Sequence, residues 1–202
     1  MTPPPSQRRS EPERLEAFSD GVLAVIITIM ALDLRVPGRP TVRDLGQSLP
    51  SLLVFALSFT FIGIYWNNHH HLLRSTERIS GRVMWSNLHL LFWLSLMPLL
   101  TKYVAEYYGS HLPACTYGVV AIGAATAYWI LVRSIVAANG PDSEVARAIG
   151  TDFKGKVSIV IYALGVGLAW ITPWIAYALY VAVSVIWFVP DRRLERDVLE
   201  PE

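Results

Sequence analysis

The chain has 202 residues, of which 53% are hydrophobic and only 16% charged, against roughly 25% charged in an ordinary soluble domain. With a mean hydropathy of +0.39, its apolar surface exceeds what one soluble core can bury. The net charge of +1 offers no basic excess for holding nucleic acid, and a single cysteine, Cys115, excludes an intramolecular disulfide and a zinc site built on paired cysteines. Cys115 reads as a small buried hydrophobe. The composition is that of an all-α polytopic membrane protein.

Residues 1–12 are polar and Pro-rich, carry Arg8 and Arg9, and lack the apolar core of a signal peptide, so they are expected to form a disordered cytoplasmic tail. Residues 13–189 then hold six apolar segments bounded by charge, Pro or Gly, each near the roughly 20 residues that cross a hydrocarbon layer. The expected spans are 13–34, 45–71, 82–104, 112–138, 154–171 and 173–189, the last two parted only by Thr172-Pro173, where proline ends one helix and opens the next. Residues 190–202 form a second cytoplasmic tail. Ser95 and Met97-Pro98 are placed to kink the third helix. Ser58 and Thr60 are expected to bond back to their own helix, and Gly165 and Gly167 read as membrane-helix background.

Lys and Arg divide unevenly between alternate connections. With the amino terminus inside, thirteen fall on the inner side, including Arg74, Arg78, Arg82, Arg133, Arg147, Lys154 and Lys156, and four on the outer, Arg35, Arg39, Arg43 and Lys102. Cytoplasmic segments carry the excess, so six spans with both termini cytoplasmic fit, whereas an odd number scrambles the pattern.

The first helix is unusual. Residues 21–32 are uncharged and too short to span alone, so the helix must take in Arg14, Glu16, Phe18, Ser19 and Asp20. An acid at the membrane boundary faces protein or water rather than lipid, so Asp20 needs partners. At 100° per residue, Val25, Thr28, Ile29 and Leu32 share one face, while Asp20 lies about 140° away from Val25. That aliphatic face admits two readings. It meets lipid or other helices, or identical copies surround an axis and form rings of Val25, Ile29 and Leu32 with a hydroxyl ring at Thr28. A narrow apolar ring blocks ions by dewetting and passes them when it widens.

At the end of the second helix, Trp66-Asn67-Asn68-His69-His70-His71 follows the apolar run. Neighbours on a helix point 100° apart, so three consecutive imidazoles cannot all reach one metal ion, and no metal site is expected. Hydrogen bonding at the cytoplasmic ends fits better, at the depth of Asp20, Arg14, Asn87 and His89.

The run Arg14-Leu15-Glu16-Ala17-Phe18-Ser19-Asp20-Gly21-Val22-Leu23-Ala24 resembles the Arg-x-x-x-Phe-Ser-Asp signature that opens the first helix of the transmembrane protein 175 potassium channel family. Ile26-Ile27-Thr28 and Leu32-Asp33-Leu34-Arg35-Val36-Pro37 look like its bacterial branch, and Trp66-x-x-His69-His70 with Asn87 is similar to its second and third helices. The resemblance implies one six-helix repeat per subunit and a homotetramer, with first helices lining a pore that passes potassium and needs no cofactor. It implies a hydrophobic constriction at Val25, then Thr28, Ile29 and Leu32, in place of the Thr-Val-Gly-Tyr-Gly filter of other potassium channels, a motif absent here. Val25 departs from the family's usual isoleucine or leucine. The resemblance also implies a polar network behind the pore helix formed by Arg14, Phe18, Ser19, Asp20, Trp66, His69, His70 and Asn87.

A passive, potassium-preferring channel in the cell membrane is therefore the expected function. The alternative is a proton-coupled secondary transporter in which Asp20 and the His69, His70 and His71 cluster titrate. An enzyme is not expected, because no nucleophile paired with a base, zinc-protease motif or phosphate-binding glycine loop occurs.

Overall fold

A computed structural model describes residues 10–34, 37–149 and 153–188, all helical apart from connections. Of the expected tails, residues 1–9 and 190–202 lie outside the described residues, as do Arg35 and Val36 of the resemblance, whereas residues 10–12, expected in the first tail, cap and open the first helix. The helices are α1 (Glu11–Leu32), α2 (Val42–Arg74), α3 (Gly81–Ser95), α4 (Met97–Glu106), α5 (His111–Asn139), α6 (Glu144–Ile149), α7 (Phe153–Leu168) and α8 (Pro173–Phe188). Four stretches are long and apolar enough to cross a membrane: α1, α2, α3 with α4, and α5. Helices α7 and α8 have 16 residues each, about 24 Å at 1.5 Å per residue.

Local chemistry explains the boundaries. Ser10 opens α1 with a reciprocal cap: its hydroxyl accepts from the Glu13 N–H, and the Glu13 carboxylate accepts from the Ser10 N–H at 3.0 Å. Thr41 and Ser80 cap α2 and α3 in the same sense, accepting from Asp44 N and Val83 N. The 33 residues of α2 reach about 50 Å, so its first turns extend beyond a hydrocarbon layer of roughly 30 Å. The third span breaks at Leu96, where Pro98 has no N–H to give the Leu94 carbonyl. Gly140, at φ 99°, closes α5 in a backbone conformation that a side chain disfavours. The short α6 was not expected: its six residues follow a turn in which the Ser143 hydroxyl accepts from Ala146 N.

Helix α1 buries Ser19, Leu23, Ile26 and Met30, a repeat of three and four that turns one face onto α2, α3 and α4. Helix α5 runs through the middle of the subunit, packed on α3, α7 and α8. Cys115 is buried on it as expected.

Several helix crossings depend on glycine, and one corrects the background reading of Gly165. A Cβ at Gly165 would stand 2.5 Å from the Tyr180 ring and one at Gly118 2.1 Å from the Tyr180 hydroxyl oxygen, whereas Gly167 faces open space. Tyr180 cannot easily withdraw, since its hydroxyl donates to the Ala114 carbonyl at 3.0 Å and its ring stacks on Tyr117. Gly118→Val is accordingly expected to destabilise the subunit by about 1–3 kcal/mol through overpacking, read as a lower unfolding midpoint in detergent. Gly167→Val should leave that midpoint unchanged.

Candidate conduction face and polar cluster of the first helix

The two sides of α1 differ in what they meet, although both are largely apolar. Val25 is 54% exposed, Ile29 45% and Leu32 85%, with Thr28 exposed between them. The four positions expected to share a face thus form one open strip along the subunit surface. The Thr28 hydroxyl donates back to the Val25 carbonyl at 2.9 Å, so its proton is engaged within the helix and its oxygen lone pairs remain available outward. Just past the strip, Asp33 pairs with Lys102 of α4 at 3.3 Å, and the two line a polar cavity of 450 Å³ at this end of the subunit.

Behind the strip, α1 meets α2 and α3 through polar side chains. The Trp66 indole donates to Asp20 Oδ1 at 3.1 Å, and His70 Nδ1 lies 2.5 Å from Glu16 Oε1. Glu16 and Asp20 are four apart on α1, as Trp66 and His70 are on α2, and the pairing runs in opposite order. Two antiparallel helices in register place one contact per turn in this way. Trp66 and His70 also stack, their ring centroids 6.0 Å apart.

One layer deeper, the Asn87 amide nitrogen of α3 donates to Ser19 Oγ at 2.9 Å, and Ser19 donates to the Leu15 carbonyl. Asn87 Oδ1 lies 2.7 Å from His69 Nε2, so the neutral imidazole donates through Nε2 and keeps Nδ1 unprotonated. Ser19, Asn87 and His69 are all buried. Buried polar atoms need such partners, because each one left unpaired carries its full desolvation cost.

Of the residues expected in the network, Ser19, Asp20, Trp66, His69, His70 and Asn87 are thus brought together. Arg14 and Phe18 are not. Both are exposed on α1, and the Arg14 guanidinium makes no hydrogen bond or ion pair among the described residues; only its backbone N–H bonds, to Ser10. The three histidines take separate surroundings: His69 pairs with Asn87, His70 with Glu16, and His71 is exposed. Geometry on a single helix already forbids one shared ion.

Sequence reasoning missed two contributors. Glu16 was noted only as part of the inward extension, although its four-residue spacing from Asp20 mirrors that of Trp66 and His70. Ser58 does not bond back to its own helix as expected. It accepts from Thr101 at 2.7 Å and lies 3.2 Å from the Tyr117 hydroxyl, joining α2, α4 and α5 in the core.

Residues 14–98 match the family described as endosomal/lysosomal potassium channel TMEM175. A potassium channel of Chryseobacterium sp. (strain P1-3) is 46% identical over 187 residues, 93% of this chain and 97% of that one. The chain belongs to the TMEM175 family. Within that family of channels, not enzymes, the crystal structure of a lysosomal potassium-selective channel TMEM175 homolog from Chamaesiphon minutus superposes with a TM-score of 0.76 at 27% identity, covering 90% of this chain and 98% of that one. The Bos taurus endosomal/lysosomal proton channel TMEM175 is 36% identical over 32% of this chain and 17% of its own length. This TMEM175-family chain is a membrane protein, and its described residues are helical apart from connections.

Proposed function

We propose that four copies of this chain assemble with their α1 helices around a common axis and conduct potassium passively. The observation that carries the reading is the open strip of Val25, Thr28, Ile29 and Leu32 on α1, set against Ser19, Leu23, Ile26 and Met30, which are buried where α1 meets α2, α3 and α4. Around an axis, Val25, Ile29 and Leu32 become successive apolar rings that resist hydrated ions until they widen, and Thr28 contributes a ring of hydroxyl oxygens. Four hydroxyls with water discriminate less than a cage of carbonyls, so selectivity for potassium over sodium is modest.

Six spans per subunit follow when α7 and α8 are counted with the four longer stretches. The positive-inside count then supports cytoplasmic termini in a cell-membrane channel. Asp20, Ser19, Trp66, His69, His70 and Asn87 hold α1 against α2 and α3, so their role is to keep the pore helix at a fixed rotation.

The test is potassium flux from liposomes holding the purified protein, with sodium substitution and an imposed pH gradient as controls. Flux that follows the potassium gradient alone supports the pore. Asp20→Asn separates the pore from the proton-coupled transporter. Asparagine still accepts the Trp66 N–H, so assembled protein is expected to keep at least about half its flux if Asp20 only positions α1. A transporter that titrates Asp20 would lose its flux in correctly assembled protein. Proton flux in the same vesicles bears on the reading suggested by the animal relatives, which are named proton channels.

A further inference from the structure

At its far end α1 breaks a local rule. The backbone dipoles of a helix leave its C-terminus negative, so a cation is favourable there and an acid is not. The last turn of α1 has no basic residue, and the residue that caps it is Asp33, whose backbone N–H bonds the Ile29 and Ala31 carbonyls. The end of α2, by contrast, carries His71 and Arg74. Departures of this kind from local preference collect at functional sites.

The compensation comes from another helix. Lys102 of α4 reaches Asp33 Oδ1 at 3.3 Å, and the two side chains stay wet, 49% and 37% exposed. A pair in that much water is weak, and its partners part readily. Around it lies the 450 Å³ cavity, walled by α1, α2 and α4, with Asp33, Lys102 and Glu106 as its charged lining among the described residues. Two carboxylates against one ammonium make that lining net acidic. Thr101 also lines it, and its hydroxyl donates inward to Ser58, which leaves it an acceptor towards the cavity. One water needs only about 10–15 Å³ of such space, so a hydrated monovalent cation fits.

Asp33 directly follows Leu32, the last residue of the open strip, and is itself exposed. We propose that Asp33 draws potassium to the outer mouth of the conduction path and that Lys102 sets how strongly, as a tethered counter-ion that an arriving cation displaces. The proposal rests on the pore and the orientation proposed above: four copies around one axis bring four Asp33 carboxylates and four negative helix ends to one mouth. Acidic rings at a mouth raise the local concentration of cations and speed their entry. A field of this kind separates cations from anions, so the choice between potassium and sodium stays with the strip.

The local field and the flux are read separately. Ser51 lines the cavity, and Ser51→Cys places a thiol there, with the parent protein, whose Cys115 is buried, as the blank. The full chain in neutral detergent is labelled at low ionic strength with a cationic and an anionic methanethiosulfonate reagent, and the ratio of the two rates cancels any change in the thiol itself. The cationic reagent is expected to react faster. Asp33→Asn should lower the ratio by about threefold, Lys102→Gln should raise it by about as much, and salt at about 1 M should remove both shifts. In vesicles at low potassium, flux should rise about twofold in Lys102→Gln and fall about twofold in Asp33→Asn, both differences fading at about 1 M salt. A rate ratio that ignores both substitutions overturns the proposal, as does a ratio that shifts while flux at low potassium stays at the parent's value. Failure of the pore reading looks different: the parent protein then passes no potassium, the reagent ratio still reports the field, and the part of Asp33 in conduction falls with the pore.

Discussion

Val25→Ala is expected to raise potassium flux from reconstituted vesicles by about tenfold, the change that follows when ~1.4 kcal/mol is taken off a barrier, and to lower the preference for potassium over sodium. The side chain is 54% exposed in the subunit and touches none of the polar cluster, so its truncation leaves the fold intact. Four such truncations around an axis widen one ring, and widening readmits water to a dewetted constriction. Thr28→Ala gives a different signature. It removes the hydroxyl ring without changing the apolar girth, so potassium preference falls while total flux changes less. If both variants conduct like the parent protein, the strip faces lipid and the pore lies elsewhere.

Asn87→Leu is expected to have the largest effect on assembly. Asn87 is fully buried and bridges two helices, donating to Ser19 on α1 and accepting from His69 on α2. Leucine of similar size leaves the His69 N–H unpaired and the Ser19 oxygen without a donor, a cost of about 2–3 kcal/mol. The result is a lower yield of folded oligomer and a lower unfolding midpoint in detergent. His70→Gln should be milder, since its partnership with Glu16 is only half-buried and water screens such a pair. A midpoint for Asn87→Leu equal to that of the parent would mean that the Ser19, Asn87 and His69 chain does not hold α1 in place.

The helices of this protein and their ends are legible in the sequence for local reasons. Long uncharged runs can exist only as helices in lipid, where every backbone N–H and C=O must be satisfied within the segment. Pro98 announces the break between α3 and α4, whereas the caps Ser10, Thr41 and Ser80 open their helices one to three residues before the starts at 13, 45 and 82 expected from hydropathy. The shared face of Val25, Thr28, Ile29 and Leu32 is likewise a local property, since it depends only on helical pitch. Which face of α1 turns inward is different. Both faces are aliphatic, and only the packing of Leu23, Ile26 and Met30 against α2, α3 and α4 leaves the other one open.

Partner choice is where tertiary structure decided. Asp20 visibly required a partner, but Trp66 became that partner, and His70 that of Glu16, only through the antiparallel register of α1 and α2. Ser58 joined Thr101 and Tyr117 instead of its own helix because three helices converge at that depth, and Gly165 acquired meaning only once Tyr180 lay against it. Arg14 stayed outside because α1 turns it to the surface. Pitch and hydropathy act within one segment, so one sequence carries them in full. The rotation and register of one helix against another depend on the fit of every side chain between them, and no single segment holds that information.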